Sequence, residues 1–422
     1  MSERDLSVVV FGATGITGRQ VAAYLARRAG EGGFRWAAAG RDPAKIEQVL
    51  GELGVEARET IAADTGDQAS LVAMAGRARV VLNLTGPYTL RGEPVIRACI
   101  EAGAHYVDLT GEMPWVRRML RTYGERAREA GVKIVNTCGF EALPVDLAVL
   151  LAAETARQRW NEDPAQVDVD VAFSQPRERR GLADMVSGGT LQSGAESLDD
   201  PEAAVLADPA SLIDDPQGAE RVRAVSPLAI APRFGADGEV IGPMMPGPFI
   251  NPPVIHRSAA LLATEEGRPF EPFRYREGMI VPGPRAAWPF RYAFAAASAG
   301  FQAGFRALSR TSQSLRSRAA AAMRRRLPGS GFGPQGEALE GWTWTVAVNL
   351  TTSGDHRLRV DLDADGHPGY LATATMLGEA GLLLSEEGAT PDRSGFLTPA
   401  TAIGTAHLDR FKRAGVRVRV SS

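Results

Sequence analysis

Residues 6–11, Leu-Ser-Val-Val-Val-Phe, run straight into Gly12-Ala13-Thr14-Gly15-Ile16-Thr17-Gly18, and helical periodicity follows over 15–28. A short run rich in β-branched residues marks a strand buried on both faces. A glycine-rich turn between such a strand and a helix opens a βαβ unit that cradles the pyrophosphate of a dinucleotide. Each glycine has its own task. Gly12 permits the tight turn, Gly15 lets the main chain approach the phosphates, and Gly18 allows helix and strand to pack closely. The free N–H groups and the dipole at the helix start favour an anion there. Ile16 lies on the same turn, and the hydroxyls of Thr14 and Thr17 add donors. The alternative is a glycine-rich turn with no ligand.

The alternation continues downstream. Strand patterns fall at 34–39, 58–63, 79–84, 105–109 and 132–136. Helical segments lie between them, notably 92–102 and 114–130, and Asp42-Pro43 caps and opens the second helix. Strands alternating with helices predict an α/β fold, a Rossmann-type doubly wound parallel sheet over residues 1–145. A helix at 143–159 leads out of it. Over 146–365 the pattern changes: apolar and acidic residues alternate at 167–173, a loop-rich stretch spans 175–284, and an antiparallel strand pair at 342–351 and 357–362 turns around Ser353-Gly354-Asp355. This predicts an inserted α+β substrate or lid domain. A helix at 368–384 and a strand at 416–420 belong to a C-terminal segment, 366–422, expected to return to the first domain. A chain of 422 residues accommodates two domains.

The end of the second strand selects the cofactor. NAD binders place an acid there for the ribose hydroxyls, whereas this chain has Gly40-Arg41. A guanidinium suits a 2′-phosphate, and Asp42 is occupied as a helix cap, so NADP is expected. The alternative is a plain surface arginine. Ligands in such folds sit outside the carboxyl ends of the strands, which brings in Asp64, Thr85, Gly86 and Pro87, the last three beside the nicotinamide. The expected cofactor set is Gly12, Thr14, Gly15, Ile16, Thr17, Gly18, Arg41, Asp64, Thr85, Gly86 and Pro87. Gly111-Glu112 and Gly139-Phe140-Glu141 line the same cleft; their acids serve either chemistry or helix capping and core hydrogen bonds.

A net charge of −3 gives no reason to expect nucleic acid as a partner. Two cysteines, Cys99 and Cys138, make no disulfide framework, and the five scattered histidines predict no metal site. With no leader-like or membrane-spanning pattern, a cytoplasmic location is expected, with peripheral contact to a membrane as an option. Charge is segregated: 181–220 holds no Lys or Arg, while 278–336 holds nine Arg and no Asp or Glu. The two segments either face each other or lie apart in solvent. Phe301, Phe305, Leu308, Leu315, Ala319 and Ala322 recur at near-helical spacing, with Arg306, Arg310, Arg318 and Arg325 largely off that stripe. Residues 285–326 thus read as an amphipathic basic helix. It either docks an anionic membrane surface or an acidic acyl carrier, or packs on the insert's own sheet. Oligomeric state is not legible.

Several strings carry a family resemblance: Gly12–Gly18, Gly40-Arg41-Asp42, Asn83-Leu84-Thr85-Gly86-Pro87-Tyr88, residues 105–112, residues 139–146, and near the C-terminus 369–374 and 397–401. On these the chain resembles the saccharopine dehydrogenase-like oxidoreductases, and within them the trans-acting enoyl reductases of polyketide lipid assembly. The resemblance is strong over the first 150 residues and at the C-terminus. It implies a C-terminal helix packed back on the Rossmann domain and an insert that forms a lid. It also implies an enzyme that passes hydride from NADPH to a carbon–carbon double bond of an acyl or polyketide lipid intermediate. Tyr88, in the family's Gly-Pro-Tyr string, becomes the candidate donor to the developing enolate; a packing tyrosine is the alternative. Competing readings are reduction of an imine or carbonyl metabolite, and a non-catalytic, lipid-associated dinucleotide-binding scaffold. No set of basic residues is visible for the dicarboxylate substrate of the lysine-pathway reaction.

Overall fold

The computed structural model describes residues 4–176, 188–235, 237–243, 245–327, 332–334 and 336–421. Its first half alternates as the sequence predicts: β1 (Leu6–Phe11), α1 (Ile16–Gly30), β2 (Trp36–Gly40), α2 (Pro43–Leu53), β3 (Thr60–Ala62), α3 (Gln68–Arg77), β4 (Ala78–Asn83), α4 (Tyr88–Ala102), β5 (His105–Asp108), α5 (Met113–Glu129), β6 (Lys133–Val135) and α6 (Leu143–Trp160). Strands with helices on both faces must be apolar on both, and successive residues of β1 serve opposite sides. Val8 and Val10 join Leu82 in one core cluster, while Val9 and Phe11 join Val81 in the other.

The second half contributes β7 (Pro164–Ser174), α7 (Gly188–Asp199), α8 (Pro216–Val225), β8 (Arg233–Phe234), β9 (Val240–Gly242), α9 (Gly247–Glu265), β10 (Arg274–Ile280), α10 (Trp288–Ser309), α11 (Gln313–Arg326), β11 (Thr343–Thr352) and β12 (Arg357–Asp365). It closes with α12 (Thr373–Ser385), β13 (Gly395–Leu397), α13 (Pro399–Ile403) and β14 (Arg417–Ser421). Two sheets result among the described residues. One is parallel, in the order β13-β6-β5-β4-β1-β2-β3; the other is mixed, in the order β14-β12-β11-β7-β10-β9-β8. The core cluster on one face of the parallel sheet runs on through α6 into Val169, Val346 and Val360 of the mixed sheet, so the two halves share a core. On β7 the apolar set is buried and the alternating acids are paired: Asp168 with Arg276 and Asp170 with Arg233.

Three expectations are corrected. Of the 175–284 stretch, the described residues are largely structured, with α7, α8 and α9 among their elements. Its prolines misled, because Pro252 and Pro253 sit inside α9. Proline interrupts the i to i−4 ladder there yet keeps helical φ. The segment 285–326 is two helices, broken between Ser309 and Gln313, and not one. The C-terminal segment divides: α12 packs on α1 and β13 pairs with β6, but β14 pairs with β12 and so belongs to the mixed sheet. The segregated charges do meet. Arg324 pairs with Glu196 and Asp199, and the buried Arg316 donates to the carbonyls of Leu198, Asp200 and Pro201 at the end of α7. Residues 177–187 of the acid-rich stretch lie outside the described residues. No described helix is long and apolar enough to cross a membrane.

The return of α12 onto α1 is pinned by a buried carboxylate. Glu379 accepts from Tyr24 Oη (2.7 Å) and Arg28 Nε (2.6 Å) with no exposed surface of its own. Removing one partner of a buried ion pair strands the other. Glu379→Ala is therefore expected to cost about 3 kcal/mol in urea unfolding; a loss within error of zero would show that Glu31, the other partner of Arg28, suffices.

Candidate functional site

The glycine-rich turn has the shape its sequence requires. Gly12 adopts φ +97°, and a Cβ there would sit 2.9 Å from Thr85 Cγ2. A Cβ on Gly18 would fall 2.2 Å from the Gly12 carbonyl oxygen, which makes this the close helix–strand contact. Gly15 differs: a Cβ would meet nothing nearer than that carbonyl at 3.5 Å, so its open side faces a cradle and not the protein. Gly15 is also the N-cap of α1 and supplies no side-chain cap, leaving first-turn N–H groups for an anion. Thr85 lies against the turn, its N–H and hydroxyl both donating to Asn83 Oδ1 (3.1 and 2.5 Å), and leads into Gly86 and Pro87. Ile16 is met by Gly333, so chain from the insert crosses over the turn. These residues fit a dinucleotide.

Arg41 stands exposed just past β2, with no ion pair among the described residues, while Asp42 accepts from Lys45 N–H (3.1 Å) as the cap of α2. Asp64 follows β3 and accepts from Gly66 N–H (2.8 Å), which shapes its own turn.

Under the carboxyl ends of β4, β5 and β6 lies a buried polar floor. Asp108 Oδ2 accepts from Tyr106 Oη (2.8 Å) and Asn136 Nδ2 (2.7 Å), and Oδ1 accepts from the N–H groups of Thr110 (3.0 Å) and Thr137 (3.2 Å). Burial lifts the Asp108 carboxyl to about 7 despite these donors. The Tyr88 phenol belongs to this floor. It is buried, its hydroxyl donates to the Asn83 carbonyl (3.1 Å) and accepts from Leu109 N–H (3.4 Å), and its ring packs near Trp115. Burial first, then the charge of Asp108, holds its proton tightly. In this geometry Tyr88 is the packing tyrosine, because its hydroxyl is committed to main chain and not turned to a cleft. Glu112 likewise caps: fully buried, it accepts from the N–H groups of Tyr88 (3.0 Å) and Thr89 (2.7 Å) at the start of α4, and from Ser193 Oγ (2.7 Å).

A second cluster was not legible in sequence. The first turns of α9 lie over the parallel sheet: Ile250 fills the space a Cβ on Gly111 would need. One turn on, Asn251 Nδ2 donates to the Glu141 carbonyl (2.7 Å) and to both oxygens of Glu277 on β10 (2.9 and 2.8 Å). Tyr275 Oη also donates to Glu277 (2.8 Å). Burial raises the Glu277 carboxyl to about 7; the two donors pull it down and the charge of Glu141 pushes it up. Burial raises Glu141 as well. Asn251 Oδ1 is buried with no partner among the described residues. A buried carboxyl group, Glu277, thus lies where the parallel sheet, α9 and the mixed sheet converge, and Asn251 ties it to the Glu141 main chain. Sequence reasoning placed Glu141 in the cleft but missed Asn251 and Glu277; the alternation Tyr275, Glu277, Met279 was the available strand signal.

Comparison with known proteins agrees with the fold. Residues 8–135 match the family described as the saccharopine dehydrogenase NADP binding domain. The chain is 35% identical over 434 residues to a putative trans-acting enoyl reductase of Mycobacterium tuberculosis, covering 99% of this chain and 98% of the relative. It is 33% identical over 438 residues to a trans-acting enoyl reductase of Mycobacterium ulcerans, with 99% and 98% covered. Among solved structures, apo saccharopine dehydrogenase (L-Glu forming) of Saccharomyces cerevisiae aligns at a TM-score of 0.52 and 13% identity, over 99% of this chain and 100% of that one. The homospermidine synthase of Legionella pneumophila, solved with NAD, aligns at 0.53 and 11%, over 99% and 91%. Fold, glycine-rich turn and relatives together define an oxidoreductase that uses a nicotinamide dinucleotide, NADP by the description of the matched domain. The chain belongs to the saccharopine dehydrogenase-like oxidoreductases, with the trans-acting enoyl reductases as its full-length relatives.

Proposed function

We propose that the protein reduces the carbon–carbon double bond of an α,β-unsaturated acyl thioester on a polyketide or lipid intermediate. The observation that carries the reading is the buried Asn251–Glu277 pair, tied to the Glu141 main-chain carbonyl beside the carboxyl ends of β5 and β6. Enoyl reduction needs a hydride at the β-carbon and a proton at the α-carbon. NADPH, when bound, supplies the hydride. Gly12, Thr14, Gly15, Ile16, Thr17 and Gly18 would hold its pyrophosphate, Arg41 its 2′-phosphate, and Asp64, Thr85, Gly86 and Pro87 would line the rest of its site. Glu277, raised to about 7 by burial and oriented by Asn251 and Tyr275, stores the proton. The acyl chain arrives on an acidic carrier or from an anionic membrane, with residues 285–326 as the candidate contact.

Loss of NADPH absorbance on adding a trans-2-enoyl thioester, with the saturated product identified by mass spectrometry, tests the reaction. Turnover of an imine or ketone with none of the enoyl thioester would replace this reading. Cofactor choice is tested separately: Arg41→Ala is expected to weaken NADPH by about 1.5–3 kcal/mol while leaving NADH nearly unchanged, the loss of one charge-assisted contact. Equal weakening of both in fluorescence titration would remove Arg41 from the 2′-phosphate.

A further inference from the structure

α10 turns its apolar face outward. Its inward positions are Arg291, Ala295, Gln302 and Ser309; Arg291 Nε donates to the Val281 carbonyl (2.8 Å) and Gln302 Nε2 to the Pro243 carbonyl (3.0 Å). On the solvent side Phe290, Phe294 and Phe301 fall on one line along the helix, at spacings of four and seven residues, and are 81%, 55% and 67% exposed. Trp288 and Tyr292 are exposed at the start of the helix. Phe234, exposed at the end of β8, stacks on Tyr292 with ring centres 5.7 Å apart and meets Trp288 edge-on at 5.8 Å. Exposed Ala293, Ala296, Ala297 and Gly300 continue the surface, and residues 292–305 contain no charge. An aromatic surface this continuous marks an interaction face.

The charges of the same chain segment select the occupant. Arg285, Arg310, Arg318, Arg325 and Arg326 are exposed and take no ion pair among the described residues, in a segment that holds no acid from 278 to 336. Asp237 and Glu239 follow Phe234 on the next turn. A second copy of this chain laid on the face would bring like charges together. An acidic protein would answer the arginines yet leave protruding rings with nothing to enter. A lipid surface answers both: aromatic rings enter the headgroup layer and arginines meet phosphates. We propose that α10, with Phe234, docks this protein on membranes that contain anionic lipid. The proposal stands whatever bond the enzyme reduces; under enoyl reduction it places the enzyme where acyl substrates are.

Sedimentation of the full chain with vesicles tests it. Binding to phosphatidylcholine and phosphatidylglycerol in equal parts is expected to exceed binding to phosphatidylcholine alone by about tenfold, and to fall as salt rises. The triple variant Phe290→Ser, Phe294→Ser, Phe301→Ser is expected to lose about tenfold or more, with unchanged NADPH affinity reporting an intact fold. Arg325→Gln with Arg326→Gln should flatten the salt dependence. Equal vesicle binding by the triple variant, or none by the wild type, would overturn the proposal. So would a wild-type dimer in light scattering that the triple variant dissolves, or retention by an acyl carrier protein with no retention by vesicles.

Discussion

Gly15→Val is expected to weaken NADPH binding by about 100-fold or more, roughly 2.7 kcal/mol, while the protein melts within about 2 °C of wild type. Gly15 sits at φ −72° and ψ 166°, where any residue is comfortable, and a Cβ there meets nothing closer than 3.5 Å. The fold therefore has no use for the missing side chain. What needs it missing is a ligand that comes up to the main chain at the start of α1. Gly18→Ala makes the opposite case: its methyl would collide with the Gly12 carbonyl oxygen, so that variant should melt several degrees lower whether or not cofactor is present. Fluorescence titration with NADPH and thermal melts of both variants separate the two roles. Wild-type affinity in a folded G15V protein would mean that the turn holds no pyrophosphate.

Local physics explains which parts of the molecule were legible. Strands such as β1 and β4 are short apolar runs, and helices after them begin with recognisable devices, such as Asp42 before Pro43 or Asp67 accepting from Ala69 N–H; β13, three residues far along the chain, was not legible. The glycine-rich turn is legible for the same reason, because its requirements fall on consecutive residues. The insert is not local in this sense. β7 pairs with β10 in parallel and with β11 in antiparallel fashion, and both partners lie far along the chain. β8 has two residues and no periodicity. The stripe Phe301, Phe305, Leu308 has correct helical spacing, but spacing does not say which side is covered: Phe305 packs on Phe249 while Phe301 faces water. The cluster around Glu277 was hidden for a related reason. Glu141, Asn251 and Glu277 come from three separate elements, and only the convergence of both sheets on α9 brings them together.

Glu277→Gln is expected to lower kcat for enoyl reduction by about 100-fold with NADPH affinity unchanged, the usual worth of a general acid. The pH dependence makes the test specific. Glu277 is raised to about 7 by burial, so the protonated donor is lost as pH rises, and wild-type kcat should fall through about 7. Glutamine keeps shape and neutrality but has no proton to give, so the variant should lose that limb. Stability moves with the same proton. A carboxyl whose folded pKa is raised contributes stability that is fully present below its ordinary range and is lost as pH rises through about 7. Asp108, raised to about 7, and Asp146, raised to about 6, act in the same direction. His105 and His256, lowered by burial to about 4 and about 3, oppose them only once pH falls below about 6.5, the unperturbed imidazole range. Between that point and about pH 8, above which Lys133, lowered by burial to about 8, acts the other way, urea unfolding should show wild type gaining stability as pH falls, and E277Q gaining less, the difference being the Glu277 share. If E277Q keeps both the wild-type kcat and the wild-type pH limb, the proton comes from elsewhere. If Glu141→Gln alone removes the limb, Glu141 delivers it and Glu277 only holds Asn251 in place.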